Sequence, residues 1–223
     1  KSFAQLLYPR LVASREARIG NLIPYWSVDH ERPGEMSVRC WLFFNRDLGP
    51  DVPEAHEVMR FVEAAKALDI ALAMEACGAD IIDLGAESTR PGAKPVSTSE
   101  ELARAVPVLK ALAARLKVPI SIDSYKAAVA AAAMDEGALM VNDISGFDYD
   151  PEMGPLVAKR GVPAVLMHTR GRPEDMYAHA EYTDLVREVV TDLQRCVTRA
   201  QDFGVARRQL IVDPGLGFAK RGA

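Results

Sequence analysis

From Phe61 onward, short apolar runs rich in β-branched residues alternate with longer stretches of helical period. That alternation predicts βαβ units wound on a parallel sheet. Five runs stand out: Asp80 to Leu84, Val118 to Ile122, Ala138 to Asn142, Val162 to Met167 and Leu210 to Asp213. The last four are almost continuously hydrophobic, as expected of strands covered on both faces. Between them lie four predicted helices. The first carries Ala65, Leu68, Leu72 and Ala76 on one stripe and stops at Gly78, a residue suited to a left-handed cap. The second opens on Ser97-x-x-Glu100, a capping box, and carries Leu102, Val106, Leu109 and Leu116; Pro107 within it predicts a kink. A third, Ala-rich helix follows Tyr125 and ends before Gly137, and a long fourth runs from about Thr183 to Phe203 before Gly204. Residues 1–59 keep neither period for long, because Pro9, Pro24, Pro33, Pro50 and Pro53 interrupt them. A strand from Val38 to Asn45 and a helix over Ser2 to Leu11 are the elements this segment allows.

Each apolar run ends on polar side chains. Asp83 with Glu87-Ser88-Thr89-Arg90 follows the first, then Asp123-Ser124, Asn142-Asp143, His168-Thr169-Arg170 and Asp213-Pro214-Gly215. In a β/α barrel such residues face a common mouth at the C-terminal ends of the strands. The expected fold class is therefore α/β, a (β/α)8 barrel of TIM type, incomplete in that its last two strands are absent. Residues 60–223 form the barrel portion and residues 1–59 an atypical N-terminal segment. Converging carboxylates and an amide suit the NH-rich edge of a heterocycle such as a 2-amino-4-oxopteridine. No pair of His residues has metal-ligand spacing, so the site allows only a loosely held Mg²⁺ with phosphate and water as further ligands.

Composition narrows the partners. A net charge of −4 and an aromatic content of 7% argue against nucleic acid and against an anionic membrane surface. No apolar run reaches the roughly 18 residues of a membrane helix, and a cytoplasmic location is expected. Cys40, Cys77 and Cys196 form no CxxC pair, so packing is their expected role.

The segment from Asp83 to Gly92, Asp-Leu-Gly-Ala-Glu-Ser-Thr-Arg-Pro-Gly, resembles the second-loop signature of the dihydropteroate synthase family. Ile122-Asp123-Ser124-Tyr125, the run from Val141 to Gly146, Leu166-Met167-His168 and the run from Asp213 to Lys220 follow in the family's order, over roughly Arg60 to Lys220. The resemblance implies condensation of 6-hydroxymethyl-7,8-dihydropterin pyrophosphate with p-aminobenzoate, in folate synthesis, usually with Mg²⁺ and in a homodimer. It implies that Asp123, Asn142 and Asp213 hold the pterin, that Met167 and Phe218 pack near it, and that Thr89, Arg90 and Pro91 serve pyrophosphate and p-aminobenzoate. Asp123, Asp213 and Arg90 are then the catalytic candidates.

Two departures qualify this. Where the family has an Asn-Val-Thr-Pro-Asp-Ser-Phe type loop, this chain has Trp41 to Asp47, with Asn45 as the one candidate Mg²⁺ ligand. The family's later Ser-x-Lys and Arg-x-His segments do not follow Lys220, so impaired turnover is expected, and Lys220 is not read as the family's pterin-contacting Lys. A methyltetrahydrofolate-binding methyltransferase barrel and an inactive pterin-binding fragment are the alternatives. Asp123 could instead cap the helix near Tyr125, Asn142 and Asp213 could serve turns, and Asp83 reads as structural. Arg170 and Arg172 read as a solvated loop.

Overall fold

The computed structural model describes residues 22–32, 35–44 and 53–220, with side chains for 64–220. In chain order the elements are β1 (Leu22–Arg32), β2 (Glu35–Phe44), α1 (Pro53–Ala76), β3 (Ile81–Gly85), α2 (Thr98–Ala113), β4 (Ile120–Asp123) and α3 (Ala127–Asp135). They continue as β5 (Met140–Asp143), α4 (Met153–Arg160), β6 (Ala164–Met167), α5 (Leu185–Asp202) and β7 (Leu210–Asp213), with short 3₁₀ turns at Met176–His179 and Arg207–Gln209. One sheet takes the strands in sequence order. β1 is antiparallel to β2, and every later pair is parallel with a helix between its strands. This is the winding of a TIM-type β/α barrel. Six of its parallel strands are described, and no strand follows β7 among the described residues.

All five apolar runs are strands, and the run at Val38 to Asn45 lies largely within β2, which joins the same sheet. The division at residue 59 falls inside α1. The helix over Ser2 to Leu11 lies outside the described residues, as does Asn45.

Alternation along each strand assigns the two faces. Ile82, Leu84, Ile120, Ile122, Val141, Ala164 and Leu166 pack outward into one core with the helices. The face α1 presents to them is Ala64, Ala67, Ala71 and Met74, not the stripe through Ala65 and Leu72: small residues let the helix lie close to the sheet. On α2, Leu109 is buried as expected, but Ala105, Val108 and Leu112 replace Val106 in the core. Ser97 Oγ accepts the Glu100 N–H at 3.2 Å, while the Glu100 carboxylate pairs with Arg104 at 2.9 Å and leaves the capping box half formed. The helix continues through Pro107.

The helix α4 has no counterpart in the sequence reading, because Gly154 and Pro155 disguise it. Pro155 lies in the first turn, where a missing N–H costs nothing.

Candidate functional site

The register places the predicted residues in rungs across the inner face. Gly85, Asp123, Asn142, Val165 and Ile211 are successive Cα partners from β3 to β7, and Met167 pairs with Asp213 two residues further along. Asp83 and Ser121 occupy the rung below Asp123. Residues on partnered positions of one parity share a face, so Asp83, Ser121, Asp123 and Asn142 all turn into the barrel. All four are buried, Asp123 at 4% exposure.

Asn142 Nδ2 donates to Asp83 Oδ2 at 3.0 Å, reaching across β4 to do so. Asp83 thus orients the Asn142 amide, a role the sequence reading assigned to neither residue. Asp123 Oδ1 and Ser121 Oγ have no hydrogen-bond partner among the described residues. Burial, and then the charges of Asp83, Glu101, Asp143 and Glu87, push the Asp123 carboxyl well above the usual aspartate range. An unpaired acceptor in a dry, electronegative recess is a place where a ligand donor would be strongly held. Helix capping does not explain Asp123: the N-cap of α3 is Lys126, and Asp150 Oδ2 accepts the Ala127 N–H at 2.8 Å.

Asn142 serves no turn, but its neighbour Asp143 does. Asp143 accepts from Ser145 N and Oγ, both at 2.7 Å, and from Phe147 N at 3.2 Å, which holds Phe147 at a positive φ of 67°. Burial raises its pKa to about 6 against the opposing effect of those bonds.

Beside the carboxylates stands an apolar wall. Tyr125, Ile144 and Met167 form a second buried cluster with Tyr149 and Phe218 against it. Phe218 is brought there by the turn after β7. Asp213 Oδ1 accepts the Gly215 N–H at 2.7 Å, so Asp213 does serve a turn with one oxygen, and its backbone carbonyl accepts the His168 N–H at 2.9 Å. Gly215 (φ +64°) approaches so closely that a Cβ would lie 2.3 Å from the His168 carbonyl oxygen. Lys220 Nζ closes the turn by donating to the carbonyls of His168, Gly215 and Phe218 at 3.2, 3.0 and 2.8 Å. Burial pushes this ammonium down to about 8, opposed by the charge of Asp213. Lys220 is accordingly a clamp on backbone carbonyls.

On the loop after β3, Thr89 is buried, Pro91 half-buried and Arg90 exposed. Gly92 N–H donates to the Pro173 carbonyl at 2.7 Å, which brings this loop against the one after β6. His168 is buried with Nε2 3.3 Å from Asp192 Oδ2, and burial followed by the Lys220 charge lowers its pKa. It is a hydrogen-bonded strand-end residue. Arg172 is exposed, as expected of a solvated loop, whereas Arg170 is half-buried and paired. Arg170 pairs with Glu188 and Asp192 at 2.9 and 3.0 Å, and Arg172 lies 4.0 Å from the centre of the Tyr149 ring. An open depression of about 530 Å³ beside them is lined by Ser145, Tyr149, Thr169 and His179 among others, but not by Asp123 or Asn142. Among the described residues no group of three or more His, Cys, Asp or Glu side chains could hold a metal ion. No helix among them is long and apolar enough to cross a membrane.

A parallel barrel with carboxylates and an amide turned inward at its strand ends defines a class, and the chain belongs to it: the pterin binding enzyme family matches residues 54–223. The particular relatives are dihydropteroate synthases. That of Clostridium beijerinckii is 46% identical over 143 residues, covering 64% of this chain and 51% of the relative. Two solved structures agree. The Xanthomonas albilineans dihydropteroate synthase with 4-aminobenzoic acid superposes with a TM-score of 0.66 at 40% identity, over 71% of this chain and 55% of that one. The Burkholderia cenocepacia dihydropteroate synthase complexed with 7,8-dihydropteroate gives 0.64 at 42% identity, over 71% and 56%. The chain spans about half the length of these relatives.

Proposed function

We propose that this chain supplies the pterin-holding half of a dihydropteroate synthase site, joining 6-hydroxymethyl-7,8-dihydropterin pyrophosphate to p-aminobenzoate. The observation that carries the reading is the Asp123–Asn142 rung: adjacent inward side chains, one with a buried carboxylate oxygen lacking a partner, the other locked by Asp83. Asp123 and Asn142 would take the N–H and C=O groups of the pterin edge, Asp213 would complete the grip, and Met167 and Phe218 would lie against the ring.

The chemistry asks little of the protein beyond charge placement. The C–O bond to pyrophosphate breaks, the p-aminobenzoate nitrogen bonds to the same carbon, and the amine proton leaves to solvent. Buried carboxylates stabilise the cationic pterin methylene as it forms, while Arg90 and Thr89 on the loop after β3 meet the departing anion. Pro91 would shape the p-aminobenzoate side. The need for a cation opposite a departing anion favours this over methyl transfer from a folate, which releases no pyrophosphate. Mg²⁺ would arrive on the substrate's pyrophosphate and neutralise its charge, since the described side chains offer no cage of their own; no step above is routed through it. A second copy of the chain as partner and a cytoplasmic setting complete the reading; light scattering tests the first and cell fractionation the second.

Isothermal calorimetry with 6-hydroxymethylpterin tests the core of it. Asn142→Ala and Asp213→Asn should each weaken binding by about 1–3 kcal/mol, the first because it takes the Asn142 donor from buried Asp83, the second because it replaces a charged acceptor with a neutral amide. Unchanged affinity in both variants would place the ligand elsewhere.

A further inference from the structure

The loop between β3 and α2 carries Thr89 and Arg90, yet the densest set of charged contacts around it lies at its base. Lys126, the N-cap residue of α3, sends its ammonium to the Glu87 carboxylate at the first foot of the loop. The same nitrogen donates to the Val96 carbonyl at the second foot, 2.7 Å away, and to Glu101 Oε2 on α2 at 2.6 Å. An ammonium has three N–H donors, and these three acceptors take them all. The feet also bind each other, Val96 N–H donating to Glu87 Oε2 at 3.3 Å.

Flanking groups hold the two carboxylates in place. Tyr125 donates to Glu87 Oε1 at 2.5 Å, and Ser124 donates to Glu101 Oε1 at 2.6 Å. Glu87 and Glu101 are almost fully buried, at 3% and 1% side-chain exposure, so Lys126 is their counterion in a region where water cannot replace it. Burial raises the Glu101 pKa even so. The cluster lies outside the hydrophobic core: its members are the loop's own ends, the first turn of α2 and the residues just after β4. Tyr125 is shared with the apolar wall that includes Met167 and Phe218.

We propose that Lys126 is a positioning residue for the loop of residues 87–96, clamping both of its feet to the end of β4 so that Thr89 and Arg90 are presented to the mouth as one rigid flap. The proposal deepens the function proposed above, in that the flap would meet the anionic leaving group. Because the ammonium bridges two feet that are nine residues apart, its loss frees the loop at its base, even while the Gly92 contact to Pro173 still touches its middle.

Hydrogen–deuterium exchange on the whole chain tests this directly. Lys126→Met should speed exchange of the amides in 88–96 by at least about tenfold, with Ile122, Val141 and Leu166 unchanged, and Lys126→Arg should restore protection. Should Lys126→Met fold poorly, Glu87→Gln removes the charge at nearly the same size and should give a smaller increase over the same amides. Equal acceleration across core and loop, or an unaltered loop, overturns the clamp. In calorimetry Lys126→Met should weaken inorganic pyrophosphate at least about fivefold while 6-hydroxymethylpterin binds as before, and Lys126→Arg should recover the loss. Parallel loss of both ligands overturns selective positioning. Wild-type protein that binds neither removes the proposed function instead, and the exchange pattern alone then decides the clamp.

Discussion

The ends of β3 to β5 and the ends of β6 and β7 form two sides of one mouth, built in different ways. On the first side, side chain holds side chain: Asp83 fixes Asn142, Lys126 fixes Glu87 and Glu101, and every strand residue from Ile82 to Gly85 is buried. On the second, the turn after β7 is held through its backbone by Lys220 and Asp213, the polar pairs of His168 and Arg170 run to Asp192 on α5, Val212 is 50% exposed on the outer face of β7, and Leu216 is 82% exposed beyond it. The difference shows that a rim can be made rigid by satisfied polar networks or by chain geometry. The first side is also where a buried carboxyl oxygen, Asp123 Oδ1, has no partner among the described residues and is left for a ligand.

The comparison is tested most severely by packing. Leu84→Ala, on the covered side, should cost about 2–5 kcal/mol in urea denaturation, since its side chain is fully buried in the core. Next in size is Asp83→Ala, which should lower 6-hydroxymethylpterin affinity by about 1–3 kcal/mol through Asn142 and be non-additive with Asn142→Ala in a double-mutant cycle read by calorimetry.

Smaller, and opposite in sign, is Asp123→Asn. Its carboxyl is raised in the folded state, so native protein holds more protons than unfolded chain from the usual aspartate value near 3.9 upward, and stability falls as pH rises through that window. The amide should therefore melt higher than wild type by roughly 2–5 °C at pH 8. The gain should vanish as pH falls toward 4 in calorimetric scans. Smallest is Val212→Ala on the open side, expected within about 0.5 kcal/mol of wild type by the same urea titration. A loss there as large as that of Leu84→Ala would show that the two sides are packed alike.

How much of this was readable in the chain depended on distance along it. Strands β3 to β7 were legible because a strand covered on both faces reads as a continuous apolar run. β1 was not: Pro24, Asp29, His30 and Glu31 break any period, and its strand character comes from antiparallel pairing with β2. The strand-end positions of the candidate residues were legible for the same reason as the strands. What escaped was their mutual arrangement. Asp83 looked structural because its partner Asn142 lies 59 positions away and on a strand that is not its neighbour. The Lys126 cluster escaped likewise, since nothing beside Lys126 or Glu101 in the sequence marks either as buried and only the fold encloses them.

Lys220 has one more implication. Three carbonyl oxygens gathered around a positive charge are the donor set that a monovalent ion takes from a protein. Here the chain brings its own counterion on a four-carbon tether, so the turn that carries Phe218 into place should keep the same shape in sodium, potassium or ammonium buffers.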